Sequence, residues 1–218
     1  MKLNSTSVFR LSVLIVIVAA IGITLGYGLM QVALKNIRPD GQKEAMVPLP
    51  PTPPALGALV TIEDPIRLPA QVFWDGEKNK VQLDNLEFRS KVLLINLWAT
   101  NCPPCVREMP ALDNLQAKLG SKHFEVVAVN QDVMGVRKAK PFMEENNLKN
   151  LKLYVDPKAF IAKVFKTQGL PTTYVVDGLG YVRASLLGVA EWDSPEVIAY
   201  LEQLIANGHA MPGFYINK

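Results

Sequence analysis

The sequence predicts an α/β domain with a mixed central sheet flanked by helices, opened by a β-hairpin and preceded by one transmembrane helix. Three observations point to it. Apolar runs of strand length, such as FEVVAVN, alternate with amphipathic segments of helical period. The last two apolar runs are joined by only Asp177-Gly178-Leu179-Gly180, so they pair antiparallel, unlike runs joined through helices. Near the N-terminus, Leu11 to Leu34 is a stretch of 24 residues without a charge.

That stretch exceeds the roughly 20 residues needed to cross a bilayer. It is longer than the apolar region of a cleaved signal peptide and ends at Leu34-Lys35 without an A-x-A site. It reads as an uncleaved signal anchor, with residues 1–10 as a short cytoplasmic tail. Flanking charges are nearly balanced, with Lys2 and Arg10 on one side and Lys35, Arg38 and Lys43 on the other. Export of the C-terminal part is therefore inferred from the N-terminal position of the anchor. Residues 35–58 carry Pro39, Pro48, Pro50, Pro51, Pro53 and Pro54, a density that favours extended polyproline II and predicts a semi-rigid spacer.

The chain of 218 residues is long enough for one ordinary domain after this extension, and 49% hydrophobic residues allow it a full core. Of the 23 Lys/Arg and 20 Asp/Glu, residues 1–58 hold five and two, which leaves 18 of each beyond. The globular part is thus neutral and lacks the basic face of a nucleic-acid-binding protein.

The domain is expected over residues 59–209. Ala70–Trp74 and Lys80–Leu83 flank the turn signal Asp75-Gly76 and predict the hairpin. Val92–Trp98 is too continuously apolar for a half-exposed strand and predicts one buried on both faces. Val106, Met109, Leu112, Leu115 and Leu119 then recur at helical spacing, with Pro110 expected to kink that helix. Phe124–Asn130 predicts a second buried strand, Val136–Asn147 a helix, Leu151–Val155 a short strand and Lys158–Lys166 a further helix. Thr173–Val176 and Tyr181–Leu187 form the closing hairpin. Ser194-Pro195-Glu196 starts the last helix, with serine as N-cap and proline at the first position. No function is assigned to residues 210–218.

The chemistry sits between the buried strand and the long helix. Both cysteines of the chain, Cys102 and Cys105, stand there as Cys-Pro-Pro-Cys. At a helix start the first N–H groups lack intrahelical partners and the dipole is positive, which favours a thiolate at Cys102. Cys105, one turn further on, can attack a mixed disulfide formed at Cys102. Pro103 and Pro104 fit a first turn, where a missing N–H costs little, and stiffen the loop. Cys102 is accordingly the nucleophile and Cys105 the resolving thiol of a redox pair. A structural disulfide is the bland alternative, but so small a loop restrains little of the unfolded chain. Half of a zinc site is another, with only His123 and His209 left to complete it.

The stretches LINLWATNCPPCVREMPALDNLQ, FEVVAVNQD, GLPTTYVVDGLG and GVAEW resemble the thioredoxin superfamily, specifically its membrane-anchored TlpA-like and ResA-like thiol–disulfide oxidoreductases. The resemblance spans roughly Leu59 to Gly208. It implies a thioredoxin fold with a βα insertion at about Asp132–Val155. It also implies a place on the bacterial inner membrane with the domain in the periplasm. Leu170-Pro171 matches the family's cis-proline loop, which together with Asn101, Pro103 and Pro104 would meet an extended substrate. Glu108 matches an acidic residue near the active site that serves as a proton acceptor or pKa modulator for the dithiol. The bland alternative is an exposed helix glutamate. Asn96 stands where thioredoxins carry a buried aspartate, and Trp98 matches a motif tryptophan that packs under the site. Asn101 departs from the family, which has tryptophan there, and this alters the surface offered to a partner.

The resemblance further implies a reductase without cofactor or metal, whose clients belong to cytochrome c maturation or oxidase copper-centre assembly. It would need a membrane electron donor to restore the dithiol. Two alternatives of the same fold are a copper carrier, which would add a histidine ligand, and a disulfide-forming oxidant, which often has histidine between its cysteines.

Overall fold

The computed structural model describes residues 47–84, 88 and 90–208. A 3-10 turn at Pro54–Leu56 precedes four strands, β1 (Leu59–Arg67), β2 (Val72–Asp75), β3 (Lys80–Gln82) and β4 (Val92–Trp98). Helix α1 (Pro103–Leu119) leads to β5 (Phe124–Asn130), then α2 (Val136–Glu145) and β6 (Tyr154–Val155). A short α3 (Phe160–Val164), the hairpin β7 (Thr172–Val176) and β8 (Tyr181–Leu187), and α4 (Pro195–Gly208) complete the chain order.

All eight strands form one sheet in the order β1-β8-β7-β4-β5-β6-β2-β3. β4 pairs parallel with β5 and antiparallel with β7, so the sheet is mixed, as expected. The seven residues of β4 are all buried because both faces are covered. Val92, Leu94 and Trp98 face Met109, Leu112 and Leu115 of α1 and Val197, Leu201 and Leu204 of α4. Leu93, Ile95 and Leu97 face the opposite core, which holds Phe73, Val81, Ile161 and Tyr174. Period-two alternation thus sends an unbroken apolar run into two different cores.

Several elements differ from expectation, each for a local reason. β1 is a strand the sequence hides, since Glu63, Asp64 and Pro65 interrupt its apolar pattern. As an edge strand it tolerates proline, and its register against β8 shifts between Thr61 and Ile66. The strand expected at Leu151–Val155 shortens to two residues. The N–H groups of Asn150 and Leu151 donate to the Asp113 carboxylate at 2.8 and 3.0 Å instead of to a ladder. The helix expected at Lys158–Lys166 shortens to Phe160–Val164 between left-handed Ala159 and Lys166. α4 begins at Pro195 as expected, but the Ser194 hydroxyl makes no capping bond; its carbonyl accepts from Ile198 N–H. α1 runs through Pro110 as one element.

The hairpin β2–β3 forms at Asp75-Gly76, and β2 also joins β6, pairing Trp74 with Val155. Phe73, Phe88 and Tyr154 pack there as an aromatic cluster with centroids 5.4 to 6.3 Å apart.

From Val47 onward the proline-rich stretch is not a free spacer, and residues 35–46 lie outside the described residues. Val47 accepts a hydrogen bond from Arg183 through its carbonyl at 2.9 Å, and Ala55 N–H donates to Glu196 at 3.1 Å. Leu56 is 1% exposed in the core. Residues 47–58 are therefore packed on the domain expected to begin at Leu59. Among the described residues no helix is long and apolar enough to cross a membrane. The expected anchor at 11–34, the tail 1–10, His209 and residues 210–218 lie outside the described residues.

Truncating this packed segment should be costly. Leu56→Ala is expected to lower stability by about 2–5 kcal/mol in urea denaturation, through lost burial and a residual cavity. A change within about 0.5 kcal/mol, typical of surface substitutions, would mean that the segment is not integral to the domain.

Candidate active site

The cysteines sit where β4 leaves the sheet. Antiparallel pairing of Leu97 with Thr172 brings the start of β7, and Pro171 before it, to the same end of the sheet as Trp98. The Leu170–Pro171 bond is cis, Pro171 is buried, and its carbonyl accepts from Gly188 N–H at 2.9 Å. The turn between β4 and α1 is tied down from β5's end. Trp98 O accepts from Gln131 N–H at 2.8 Å, and Thr100 N–H donates to Asp132 Oδ2 at 3.0 Å. Asn130 braces Asp132 in turn, donating from Nδ2 to Oδ2 at 2.8 Å.

Cys102 is the N-cap of α1, with extended backbone, and its sulfur accepts from Cys105 N–H at 3.3 Å. Pro103 occupies the first helical position, as anticipated. The two cysteines are joined by a disulfide across a Cα separation of 5.3 Å. Cys102 is half-buried, whereas Cys105 is 0% exposed. Asn101 and Pro103 are exposed and Pro104 half-buried beside them. Trp98 is fully buried, its ring 5.2 Å from that of Phe142, beneath the site.

One turn beyond Cys105, Glu108 is only 3% exposed. Oε1 accepts from Asn96 Nδ2 at 2.8 Å and Oε2 from Trp192 Nε1 at 2.9 Å. Asn96 Nδ2 also donates to Thr173 Oγ1 at 3.0 Å. Burial raises the Glu108 carboxyl above its ordinary value of 4.5, while the donors Trp192, Asn96 and Ala190 N–H pull it back. A groove lined by Ala55, Arg107, Ala111, Val189 and Ala190 reaches the carboxyl from outside.

The structure thus brings together Asn96, Trp98, Cys102, Cys105 and Glu108, and sets Leu170-Pro171 at the same sheet end. It does not bring His123 to them. His123 precedes β5, at the strand end paired with Val92, six residues of strand from Trp98, or about 20 Å away. Among the described residues no group of three or more His, Cys, Asp or Glu could hold a metal ion. Three positions carry site contacts that sequence patterns gave no role: Trp192, Thr173 and Asp132. Trp192 lies within the motif GVAEW, but only packing reveals what its indole N–H meets.

A pH test follows from Glu108. Its folded carboxyl titrates above the unfolded one, so its contribution to stability is full below pH 4.5 and is lost as pH rises through the folded value. Glu108→Gln has no charge to bury. In denaturation at a series of pH values, the variant should gain on wild type as pH rises through that window, by about 1.4 kcal/mol for each pH unit separating the two values. A pH-independent difference would show that the carboxyl is not held up by burial.

Comparison with known proteins agrees with this geometry. The Redoxin family model matches residues 64–203. The protein named Thiol-disulfide oxidoreductase ResA from Bacillus thuringiensis subsp. konkukian is 26% identical over 196 residues, 90% of this chain and 95% of that one. A crystal structure described as Thiol:disulfide interchange protein DsbE from Chlorobium tepidum matches with a TM-score of 0.55 at 26% identity, covering 68% of this chain and 99% of that one. A DsbF homologue from Corynebacterium diphtheriae shares the fold with a TM-score of 0.56 at 20% identity, over 73% of this chain and 98% of that one. The chain belongs to the Redoxin family and is a thiol–disulfide oxidoreductase.

Proposed function

We propose that this chain is a membrane-tethered reductase that delivers two electrons from the Cys102–Cys105 dithiol to a client protein's disulfide. The observation that carries the assignment of roles is the unequal exposure of the two sulfurs, half-buried at Cys102 and fully buried at Cys105. Only Cys102 is open to a partner. Its thiolate attacks one client sulfur, forming a mixed disulfide and expelling the other client sulfur as thiolate. Cys105 then gives its proton to the Glu108 carboxylate, and its sulfur attacks Cys102 Sγ. The mixed disulfide breaks, the second client thiolate leaves, and the Cys102–Cys105 disulfide remains. The proton held on Glu108 and one from solvent complete the client dithiol.

Leu170-Pro171, Asn101, Pro103 and Pro104 form the surface against which the client segment lies. The resemblance points to clients in cytochrome c maturation or oxidase copper-centre assembly, in the periplasm of a bacterium. Residues 11–34 anchor the chain in the inner membrane, with residues 1–10 inside and the domain outside. The 26% identical relative aligns over 90% of the chain, which takes in part of this apolar run. In an oxidising compartment no soluble thiol pool restores the dithiol, so a membrane electron donor does so. A copper carrier is disfavoured by the placement of His123 at the far end of β5. An oxidant differs from this reading only in direction.

The redox equilibrium of the pair decides the direction. A potential near or below about −270 mV supports the reductase, and one near about −120 mV would overturn it in favour of disulfide formation. Kinetically, Cys102→Ser should abolish turnover, whereas Cys105→Ser should accumulate the mixed disulfide with client. Glu108→Gln should slow resolution of that mixed disulfide by about 100-fold, the lower range for a positioned proton acceptor. An unchanged rate would remove Glu108 from the chemistry.

A further inference from the structure

Every fixed partner of the Glu108 carboxyl is a donor. The Trp192 indole has an N–H and no acceptor, and so does the backbone N–H of Ala190. Such a cradle suits the carboxylate and leaves the O–H of a carboxylic acid with nothing to donate to. Yet a group that takes a proton from Cys105 must hold it, at least until the client thiolate leaves.

Asn96 differs from the other two partners. Its amide carries two donors on Nδ2 and an acceptor on Oδ1, set on nearly the same shape. Nδ2 now spans Glu108 Oε1 at 2.8 Å and Thr173 Oγ1 at 3.0 Å. Oδ1 is buried and has no hydrogen-bond partner among the described residues. No bond therefore locks Oδ1 where it is. Turning the amide by half a revolution would place Oδ1 between the same two oxygens. It could then accept from the Glu108 O–H and from the Thr173 hydroxyl, whose hydrogen is free to rotate. Both contacts reverse polarity, with Oδ1 and Nδ2 exchanging places and the Glu108 and Thr173 oxygens where they were.

We propose that Asn96 is a positioning residue whose amide turns over with the protonation of Glu108, Nδ2 serving the carboxylate and Oδ1 the carboxylic acid. An aspartate at this position could not do this without a second titration, and a leucine could serve neither state. Burial of Glu108, which favours its neutral form, makes the acid state one the site must accommodate. The charged groups that share the groove at the carboxyl are Arg107 of α1, Glu191 and Asp193 of the β8–α4 loop, and Glu196 of α4. None of them lies among the hydrogen-bond partners given above for either carboxyl oxygen. The proposal rests on the reading of Glu108 as the proton acceptor, and the Glu108→Gln kinetics test that reading separately.

The test uses the full-length oxidised chain, in which neither cysteine titrates, with 15N asparagine and carboxyl-13C glutamate. Nuclear Overhauser contacts from the Asn96 side-chain NH2 to Thr173 should be present with Glu108 ionised and lost as its carboxyl carbon titrates. Contacts that persist with Glu108 protonated overturn the proposal. A second measurement compares two variants by the Glu108 titration midpoint. Trp192→Phe removes a donor to the anion alone and should raise the midpoint. Asn96→Leu removes a partner of both states and should raise it less. A rise in Asn96→Leu equal to or above that in Trp192→Phe means that the amide acts only as a donor, and the proposal fails.

Discussion

Val92–Trp98 lies between a parallel and an antiparallel neighbour, and alternate side chains enter two separate cores. A strand held in this way can neither slip by one residue nor twist out of the sheet. A slip would exchange its two faces and move Asn96 into the opposite core, away from Glu108 and Thr173. The position of its last residue, Trp98, is therefore fixed by pairing and burial on both sides. The cysteines begin four residues later, so their distance from the sheet is set by the turn Ala99–Asn101. Asp132 pins that turn from the neighbouring strand's end. The N-cap geometry of Cys102 and the placement of Pro171 both follow from this single strand.

Polarity inside the site is governed by a contest between burial and hydrogen bonding. Taking a carboxyl out of water disfavours its charge, while each donor aimed at it restores some of the loss. At Glu108 burial prevails over three donors. A carboxyl in this balance takes up a proton more readily than an exposed one, while its donors keep the carboxylate within reach. Glu108 stands on the same helix as Cys105, one turn later, so backbone geometry alone keeps the carboxyl close to the buried sulfur.

Carboxylates elsewhere do different work with the same chemistry. Asp113 takes two backbone N–H groups of the Asn150–Leu151 segment and ends the ladder there, so that β6 is short. Glu125 is buried between Lys91, at 2.6 Å, and the hydroxyl of Tyr154, at 3.1 Å. Asp177 meets Arg183 at 2.8 Å, and the same guanidinium reaches the carbonyl of Val47. The last of these fastens the proline-rich segment to the end of the sheet, which is why that segment belongs to the domain in spite of its composition.

The local chain determined a good part of this protein. Val92–Trp98, Phe124–Asn130 and Tyr181–Leu187 were legible to the residue, the first two because a strand buried on both faces leaves a mainly apolar run, the last because Asp177–Gly180 marks the turn before it. The Cys-Pro-Pro-Cys pair was legible because its chemistry requires fixed spacing at a helix start. Its half-buried and buried sulfurs are what that spacing predicts. What only tertiary structure decided is whatever depends on partners distant in the chain. β1 is a strand because β8 offers it an edge, although its own residues argue otherwise. The packing of Leu56 depends on α4, well over a hundred residues away. The environment of Glu108 comes from Asn96, Thr173 and Trp192, none within a helical turn of it. Short-range pattern reports which faces are apolar. It does not report which polar groups meet once those faces have closed, because that depends on the register between strands and on how helices settle over them.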